Sequence, residues 1–216
     1  MYKVKFYKGW YKSRQLKATQ DKACIYIEQH LNSVESCKPN YCMTLVKKGC
    51  NDQTKMFAAK YCDCVVKRLG IPLYNKTGIK GVISSDRGYG NLAYSKMTAL
   101  LLEPFFLSSE EMQALITTDW LWVKVQLVEA LYETIKVFFP DGGLIALSVG
   151  HKYKPKPSHR DRGAVSIVEV EKKNSWWRRL IYRLPKYIRS KVVLKEADLC
   201  EEILIMLRDK LLTESK

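Results

Sequence analysis

The sequence predicts an α/β protein in which a mostly parallel central sheet is flanked by helices, giving three layers. Short apolar runs of strand length alternate along the chain with longer segments of helical periodicity. Such alternation is typical of parallel sheets joined by crossover helices. Hydrophobic residues make up 47% of the 216 residues, with 13 Tyr, 6 Phe and 5 Trp, which excludes a disordered chain. The length suits a single domain, and we expect residues 1–216 to form one.

The first part of the chain predicts three strands and two helices. The strands are predicted at 2–7, 23–30 and 42–47, where short runs alternate or are apolar throughout. Residues 12–22 are polar and predict a helix. Residues 52–69 predict a longer helix because their apolar side chains recur at helical spacing, and Gly70 and Pro72 end it.

The second part continues the alternation with three strands and further helices. Strands are predicted near 81–84, in the first half of 97–107 and at 144–150. A helix is predicted to begin at the Ser-Ser-Glu-Glu stretch, because serine caps and acidic residues favour a helix start. A long helix over 119–139 and a last helix over 197–212 follow from apolar periodicity, whereas 73–91 and 151–165 are polar loops.

The composition is strongly basic, with 37 Lys+Arg against 22 Asp+Glu and a formal charge of +15. Such charge either attracts an anionic polymer or serves solubility alone. Part of it lies in residues 166–195, which we interpret as an insertion. Its amphipathic middle, with Trp176, Trp177, Arg178 and Arg179, is either an outer helix or lid, or attaches to anionic envelope polymers or lipid.

Two further features bear on where the protein acts. No apolar run reaches the roughly 20 residues that cross a bilayer, and the start MYKVKFYKGWYKSR has no signal-peptide core. We therefore expect synthesis in a cytoplasm, with release depending on another protein. The seven cysteines form no Cys-x-x-Cys pair, which favours free thiols in a reducing compartment over a zinc knuckle.

Three chemically versatile residues follow or end predicted buried strands. His30 follows ACIYIEQ, Glu103 ends TALLLE and His151 follows LIALSVG. Ligands of open parallel sheets gather outside the carboxyl ends of the strands. Each residue alone could be a hydrogen-bonded structural group, but three together indicate a hydrolase site with a metal ion or acid–base chemistry.

The surrounding motifs resemble those of the zinc-dependent N-acetylmuramoyl-L-alanine amidases, the catalytic domains of autolysins and phage endolysins. QDKACIYIEQHLNS resembles that family's Ala-Asp pair, strand and Ser-Ile-His-x-Asn segment. LLLEPFFLSSEEMQAL resembles its Glu-x-Gly-Phe-Leu-Ser-Asn segment. The helix at 52–69 and GIPLYNKTGIKGV resemble its helix and Arg-Gly-Val-Lys loop, with Lys80 near the basic position.

The motifs that open this family stand late in the present chain. LSVGHKY, DRGAV and KEADLCEEILIMLRDKL resemble the Gly-His-Gly-Gly strand end, the Asp-x-Gly-Ala segment and the helix that begins with a metal-binding Glu. Placing 141–216 ahead of 1–140 restores the family order. The sequence therefore indicates a circular permutation, which compact domains tolerate when their termini lie close together.

The resemblance implies a set of site residues and a cofactor. His151, Glu196 and His30 would bind Zn²⁺, Glu103 would be the catalytic carboxylate, and Asn32 would bind substrate. The insertion leaves other glutamates open as the third ligand: Glu169, Glu171, Glu201 and Glu202. Two His and one Glu leave a coordination position for water, as hydrolysis requires.

The implied activity is hydrolysis of the amide between N-acetylmuramic acid and L-alanine in peptidoglycan, in a phage-type endolysin acting at the cell wall. Two alternatives stay open: a basic nucleic-acid-binding protein, and a zinc amidohydrolase of the same fold acting on another substrate. The sequence has no zinc-finger spacing and no helix-turn-helix or RNA-recognition signature, so we expect no specific nucleic acid partner.

Overall fold

The structure, a computed structural model, describes residues 1–36, 38–152, 163–173 and 187–214. Its helices are α1 (Tyr11–Gln20), α2 (Asp52–Leu69), α3 (Glu110–Phe138) and α4 (Glu196–Thr213). Its strands are β1 (Tyr2–Phe6), β2 (Ile25–Gln29), β3 (Met43–Lys47), β4 (Ile79–Val82), β5 (Thr98–Glu103), β6 (Gly143–Val149), β7 (Val165–Lys173) and β8 (Tyr187–Lys195).

Six strands form one sheet in the order β1-β6-β2-β5-β3-β4. The pairs β1–β6, β6–β2 and β2–β5 are parallel, β3 is antiparallel to β5, and β4 is parallel to β3. The predicted mostly parallel sheet is thus confirmed. Because β6, β2 and β5 are parallel neighbours, their carboxyl ends meet at one edge in the middle of the sheet.

Helices cover both faces of this sheet, so the three-layer prediction is confirmed. On one face α2, α3 and α4 pack together over a core that includes Phe57, Leu131 and Leu204. The other face has a second core, to which α1 contributes Ala18 and the loop between β4 and β5 contributes Leu92. Both cores are almost fully buried, which anchors the strands from either side.

Local capping explains the bounds of α2, whereas α1, α3 and α4 begin without a side-chain cap. The prediction of 52–69 matches α2, whose first turn is held by Asn51 Oδ1 accepting from Thr54 N at 2.9 Å. Gly70 ends α2 in the left-handed region, at φ 72°. The predicted helix start near 110 and the long helix over 119–139 belong to one element, α3, which is interrupted at Asp119 (φ −148°).

The structure describes the two ends of the basic insertion. These ends form an antiparallel hairpin of β7 and β8, in which Ile167 lies opposite Val193. β-branched residues favour strands, and Val168 and Leu194 pack on the main core. The interpretation of the amphipathic middle as an outer helix or lid stays a prediction, because these ends do not test it. Trp176, Trp177, Arg178 and Arg179 lie outside the described residues.

Two sequence-based expectations can be compared with the described part of the chain. No helix within it is long and apolar enough to cross a membrane. Its cysteines are free: Cys24, Cys42, Cys50, Cys62, Cys64 and Cys200. Four of the six are buried, which agrees with the interpretation of thiols packed as small apolar groups.

Candidate metal centre

The fold brings together the two histidines that follow the predicted strands. His30 follows β2 directly, and His151 lies two residues beyond β6. Glu196 is the first residue of α4 and reaches the same point. One ligand atom from each of His30, His151 and Glu196 lies within 4.8 Å of the others, so the group can hold a metal ion. We call these residues the triad.

Glu196 sits at the centre of the triad. Its Oε1 is 3.0 Å from His30 Nδ1 and 3.4 Å from His151 Nε2. The backbone N–H of Leu31 donates to Oε1 at 3.2 Å, and that of Ala164 donates to Oε2 at 2.7 Å. These bonds orient the carboxylate toward both imidazoles.

The competing glutamates have other partners. Glu201 bonds to Lys152, and Glu202 accepts from Trp120 Nε1 at 2.8 Å. Glu169 is 3.7 Å from Lys191 on the exposed hairpin, and the side chain of Glu171 lies outside the described part. Among the described glutamates, Glu196 is the one grouped with both histidines.

Two glycines make room for the triad. A Cβ built on Gly150 would lie 2.4 Å from His30 Cε1, and one on Gly163 would lie 2.3 Å from Glu196 Oε2. The backbone of His151 itself is left-handed, at φ 59°. A non-glycine residue in this region is strained, and such strain is concentrated at functional sites. The chain therefore departs from relaxed geometry where it places the ligand atoms.

A second carboxylate supports His30 from the other side, and sequence reasoning did not assign it a role. Glu28 Oε1 lies 3.1 Å from His30 Nε2. Arg14 donates to the same oxygen at 2.9 Å, and Tyr26 donates its hydroxyl to Oε2 at 2.8 Å. Glu28 is 1% exposed, so this network is shielded from water. Residues two apart near the end of a strand share a face, which was the available signal.

The electrostatics of the triad favour a cation. Burial opposes protonation of His30, but the hydrogen-bonded carboxylates of Glu196 and Glu28 outweigh it and raise the pKa of His30 to about 9. Burial also opposes ionisation of Glu196, yet the His30 hydrogen bond and the charges of both histidines lower its pKa. His30, His151 and Glu196 would hold a metal ion in place of the proton on His30 Nδ1, while Nε2–H of His30 would still face Glu28.

Glu103 lies beside the triad as the last residue of β5. Burial raises the pKa of its carboxyl, opposed by the charge of His30 and reinforced by that of Glu196. Asn32 Nδ2 donates to Glu103 Oε2 at 2.9 Å, so Asn32 holds this carboxylate. A partly buried carboxyl with a raised pKa suits a group that accepts and returns a proton near neutral pH.

Solved structures resemble this chain in three dimensions. The N-acetylmuramoyl-L-alanine amidase from Clostridium difficile 630 is 20% identical, with a TM-score of 0.50 over 60% of this chain and 65% of that chain. The catalytic domain of CwlV, the amidase from Bacillus (Paenibacillus) polymyxa var. colistinus, is 20% identical over the same shares, with a TM-score of 0.48. The catalytic domain of the CD27L endolysin targeting Clostridia difficile is 21% identical, with a TM-score of 0.42 over 57% of this chain and 62% of that chain.

The chain has the fold of an N-acetylmuramoyl-L-alanine amidase. This statement rests on the first of the three structures. At 20% sequence identity the similarity shows the fold alone. The chain spans 62–65% of the length of these three amidase structures. No protein-family model and no curated protein sequence matches it.

On this amidase fold, the triad and Glu103 line one open cavity of about 450 Å³. Lys80 and Arg87 line the same cavity. Three side chains suited to a metal ion, a partly buried carboxylate and two cations therefore face a common space. This arrangement can bind a polar substrate and hydrolyse a bond held near the triad.

Proposed function

We propose that this protein is a zinc-dependent hydrolase that cleaves the amide between N-acetylmuramic acid and L-alanine in bacterial peptidoglycan. The observation that carries the proposal is the grouping of His30, His151 and Glu196 beside the partly buried Glu103 in an amidase fold. Two imidazoles and one carboxylate suit zinc and leave room for water.

The donor set of the triad fits a zinc ion. Its three ligand atoms lie within 4.8 Å of one another, and Glu28 supports His30 as outer carboxylates support metal-bound histidines. Bound zinc supplies a water molecule of lowered pKa and polarises the substrate carbonyl. His30, His151 and Glu196 would hold the ion, while the backbone N–H groups of Leu31 and Ala164 keep the Glu196 carboxylate in place.

Glu103 would carry the proton during hydrolysis. The carboxylate accepts a proton from the attacking water and returns it to the amide nitrogen as the carbon–nitrogen bond breaks. Burial raises the pKa of Glu103, so its pKa lies closer to the pH at which the reaction would take place. Asn32 is then a positioning residue for Glu103 as well as a candidate contact to substrate, since its side-chain amide donates to the carboxylate.

We further propose a phage-type endolysin that reaches the cell wall after release by another protein. The formal charge of +15 would attract the protein to anionic wall polymers. Attachment through Trp176, Trp177, Arg178 and Arg179 belongs to the same proposal. The surface charge of the catalytic domain proposed over 1–216 would then contribute to binding to the envelope.

Finally, we propose that the chain is a circular permutation of the amidase order. The segment that would come first, 141–216, supplies β6, which lies between β1 and β2 in the sheet, and α4, which packs beside β1. Tyr2 and Glu214 both act on the pKa of the Tyr132 phenol, so the start of β1 and the end of α4 lie in one region. A short connection between them would make an ordinary helix-to-strand step.

The test is mass spectrometry of purified peptidoglycan after digestion with the zinc-loaded protein. The proposal expects free stem peptides that begin with L-alanine. These products should disappear when a chelator removes the metal and in Glu103→Gln, whereas Asp63→Asn, an exposed change on α2, should leave them. Intact peptidoglycan from several wall types would reject this substrate and favour another amide.

A further inference from the structure

The two histidines of the triad form a wall between two cavities. The larger cavity, about 450 Å³, is lined by Glu103, Lys80 and Arg87 as well as by the triad. The smaller, about 210 Å³, is lined by Trp10 and Tyr11 and reaches His30 and His151 from the other side. A substrate bound across the triad would therefore place one part in each cavity.

The position of Glu103 distinguishes the two cavities chemically. In amide hydrolysis the water oxygen bonds to the carbonyl carbon as the carbon–nitrogen bond breaks. One water proton passes through Glu103 to the nitrogen, which leaves as an amine, and the other is lost on ionisation of the new carboxylic acid. A proton can be delivered only over hydrogen-bond distance. The leaving amine must therefore lie on the side of the larger cavity, where Glu103 is.

The larger cavity also carries the charge that fits a peptide carboxylate. Lys80 is half-buried on β4, and Arg87 lies on the loop that follows. Both are close enough to Glu103 to lower the pKa of its carboxyl. An arginine and a lysine facing one space bind an anion through charge-assisted hydrogen bonds. The residue after L-alanine in stem peptides is acidic, and its free carboxylate would lie near the leaving amine.

The smaller cavity carries aromatic surface. Trp10 and Tyr11 are 43% and 41% exposed. Tyr11 stacks on Tyr94 with ring centroids 6.2 Å apart, which helps to hold its ring in one orientation. Flat aromatic rings bury large apolar areas, and the C–H face of a pyranose ring is such an apolar surface. This side therefore suits the sugar end of the substrate.

We propose, resting on the proposed function, that the substrate binds in one orientation across the triad. The stem peptide occupies the larger cavity with its carboxylate at Lys80 and Arg87, and the muramyl sugar lies on Trp10 and Tyr11. Lys80 and Arg87 then determine specificity for a free carboxylate over an amidated one.

The test compares kcat/KM for two soluble substrates whose γ-carboxyl is already in an amide bond: N-acetylmuramoyl-L-alanyl-γ-D-glutamyl-L-lysine and its counterpart with D-isoglutamine in place of D-glutamate. The two differ only in whether the α-carboxylate of the second residue is free or amidated. The double variant Lys80→Gln, Arg87→Gln should reduce the preference for the carboxylate substrate about tenfold or more, since both cations that would bind the carboxylate are removed. Trp10→Ala should lower kcat/KM for both substrates equally, by roughly fivefold, and Trp10→Phe by less. Lys60→Gln, on the exposed side of α2, is the matched charge control.

Each other outcome contradicts a distinct claim. An unchanged preference in the double variant would overturn the carboxylate site at Lys80 and Arg87. A Trp10→Ala variant that loses activity on one substrate only, or on neither, would overturn the sugar site. Failure of the zinc-loaded wild type to cleave either substrate would reject the proposed function itself.

Discussion

His30 Nε2 and Glu28 Oε1 lie 3.1 Å apart at the buried end of β2, while the other ring nitrogen of His30 faces Glu196. The two ring nitrogens of His30 therefore have different roles. Nδ1 is available to a metal ion, and Nε2–H can donate to Glu28. Arg14 neutralises Glu28 at 2.9 Å, so the carboxylate stays ionised inside the protein. A histidine held in this way keeps one tautomer and one ring orientation.

The first prediction concerns this support. Glu28→Gln should weaken zinc binding by about tenfold or more, because loss of an outer carboxylate lowers the basicity and order of the histidine ligand. Competition with a coloured zinc chelator measures the change. Asp63→Asn removes an exposed carboxylate from α2 and should leave the affinity as it is. Equal affinity in Glu28→Gln and wild type would show that Glu28 does not support the ligand.

The second prediction concerns the third ligand. Glu196→Gln should abolish stoichiometric zinc binding, since a neutral amide replaces the carboxylate between both histidines. Glu201→Gln alters a neighbouring glutamate on the same helix that bonds to Lys152, and should keep one zinc per chain. Metal analysis after gel filtration provides the measurement. Retained zinc in Glu196→Gln would move the assignment to another residue.

A third prediction uses the close approach at Gly150. Gly150→Ala should lower zinc affinity and the melting temperature together, because its Cβ would lie 2.4 Å from the His30 ring and push that ring out of place. Gly81→Ala is the control, since its Cβ would meet nothing nearer than 3.7 Å. Both variants can be compared by thermal unfolding with and without zinc. If Gly150→Ala binds zinc like wild type, the triad has more freedom than the structure indicates.

The fourth prediction concerns pH and stability. Burial raises the pKa of Glu103 in the folded protein above its ordinary 4.5, so the folded state keeps this proton longer than the unfolded chain. The free energy of unfolding therefore falls as pH rises from the unfolded pKa through the raised folded pKa, and the loss is complete above it. In Glu103→Gln the free energy of unfolding does not fall for this reason, because glutamine does not ionise. In metal-free urea titrations the variant should be more stable than wild type at about pH 8, with the difference shrinking toward about pH 4. A variant less stable than wild type at the higher pH would contradict this account.

A fifth prediction tests the permuted order. A chain in which 141–216 precedes 1–140, joined by a flexible linker of about ten Gly and Ser residues, should fold and bind zinc like the natural order. Met1 N donates to Asp141 O at 3.2 Å, so the new ends would lie beside the start of β1. Circular dichroism and zinc titration measure the outcome. The control carries the same linker between Glu35 and Ser36, in an exposed turn after β2, and should fold. An unfolded permuted chain beside a folded control would contradict the permuted order.

Much of the site could be predicted because strand direction and chemistry coincide. His30, Glu103 and His151 follow or end apolar runs, and parallel neighbours bring such ends together. Their convergence is what the structure shows. The helix at 52–69 could also be predicted from the sequence, because Asn51 and Gly70 cap it and its apolar spacing is regular.

Other features were hidden for physical reasons. The hairpin of β7 and β8 was missed because lysines and arginines obscure the strand-like alternation of Val165, Ile167 and Val193. The partnership of Arg14 with Glu28 joins α1 to β2 through tertiary packing, for which a single sequence carries no local signal. The choice of Glu196 among neighbouring glutamates likewise depended on how α4 docks against the sheet edge.

The most direct test of the central claim is digestion of peptidoglycan in water labelled with heavy oxygen, followed by mass spectrometry of the separated products. The account predicts one labelled oxygen in the lactyl carboxylate of muramic acid and an unlabelled stem peptide with a free L-alanine amine. It also predicts that Glu103→Gln produces neither fragment. Label at a peptide carboxylate or at a sugar reducing end would show cleavage of a different bond and contradict the amidase account.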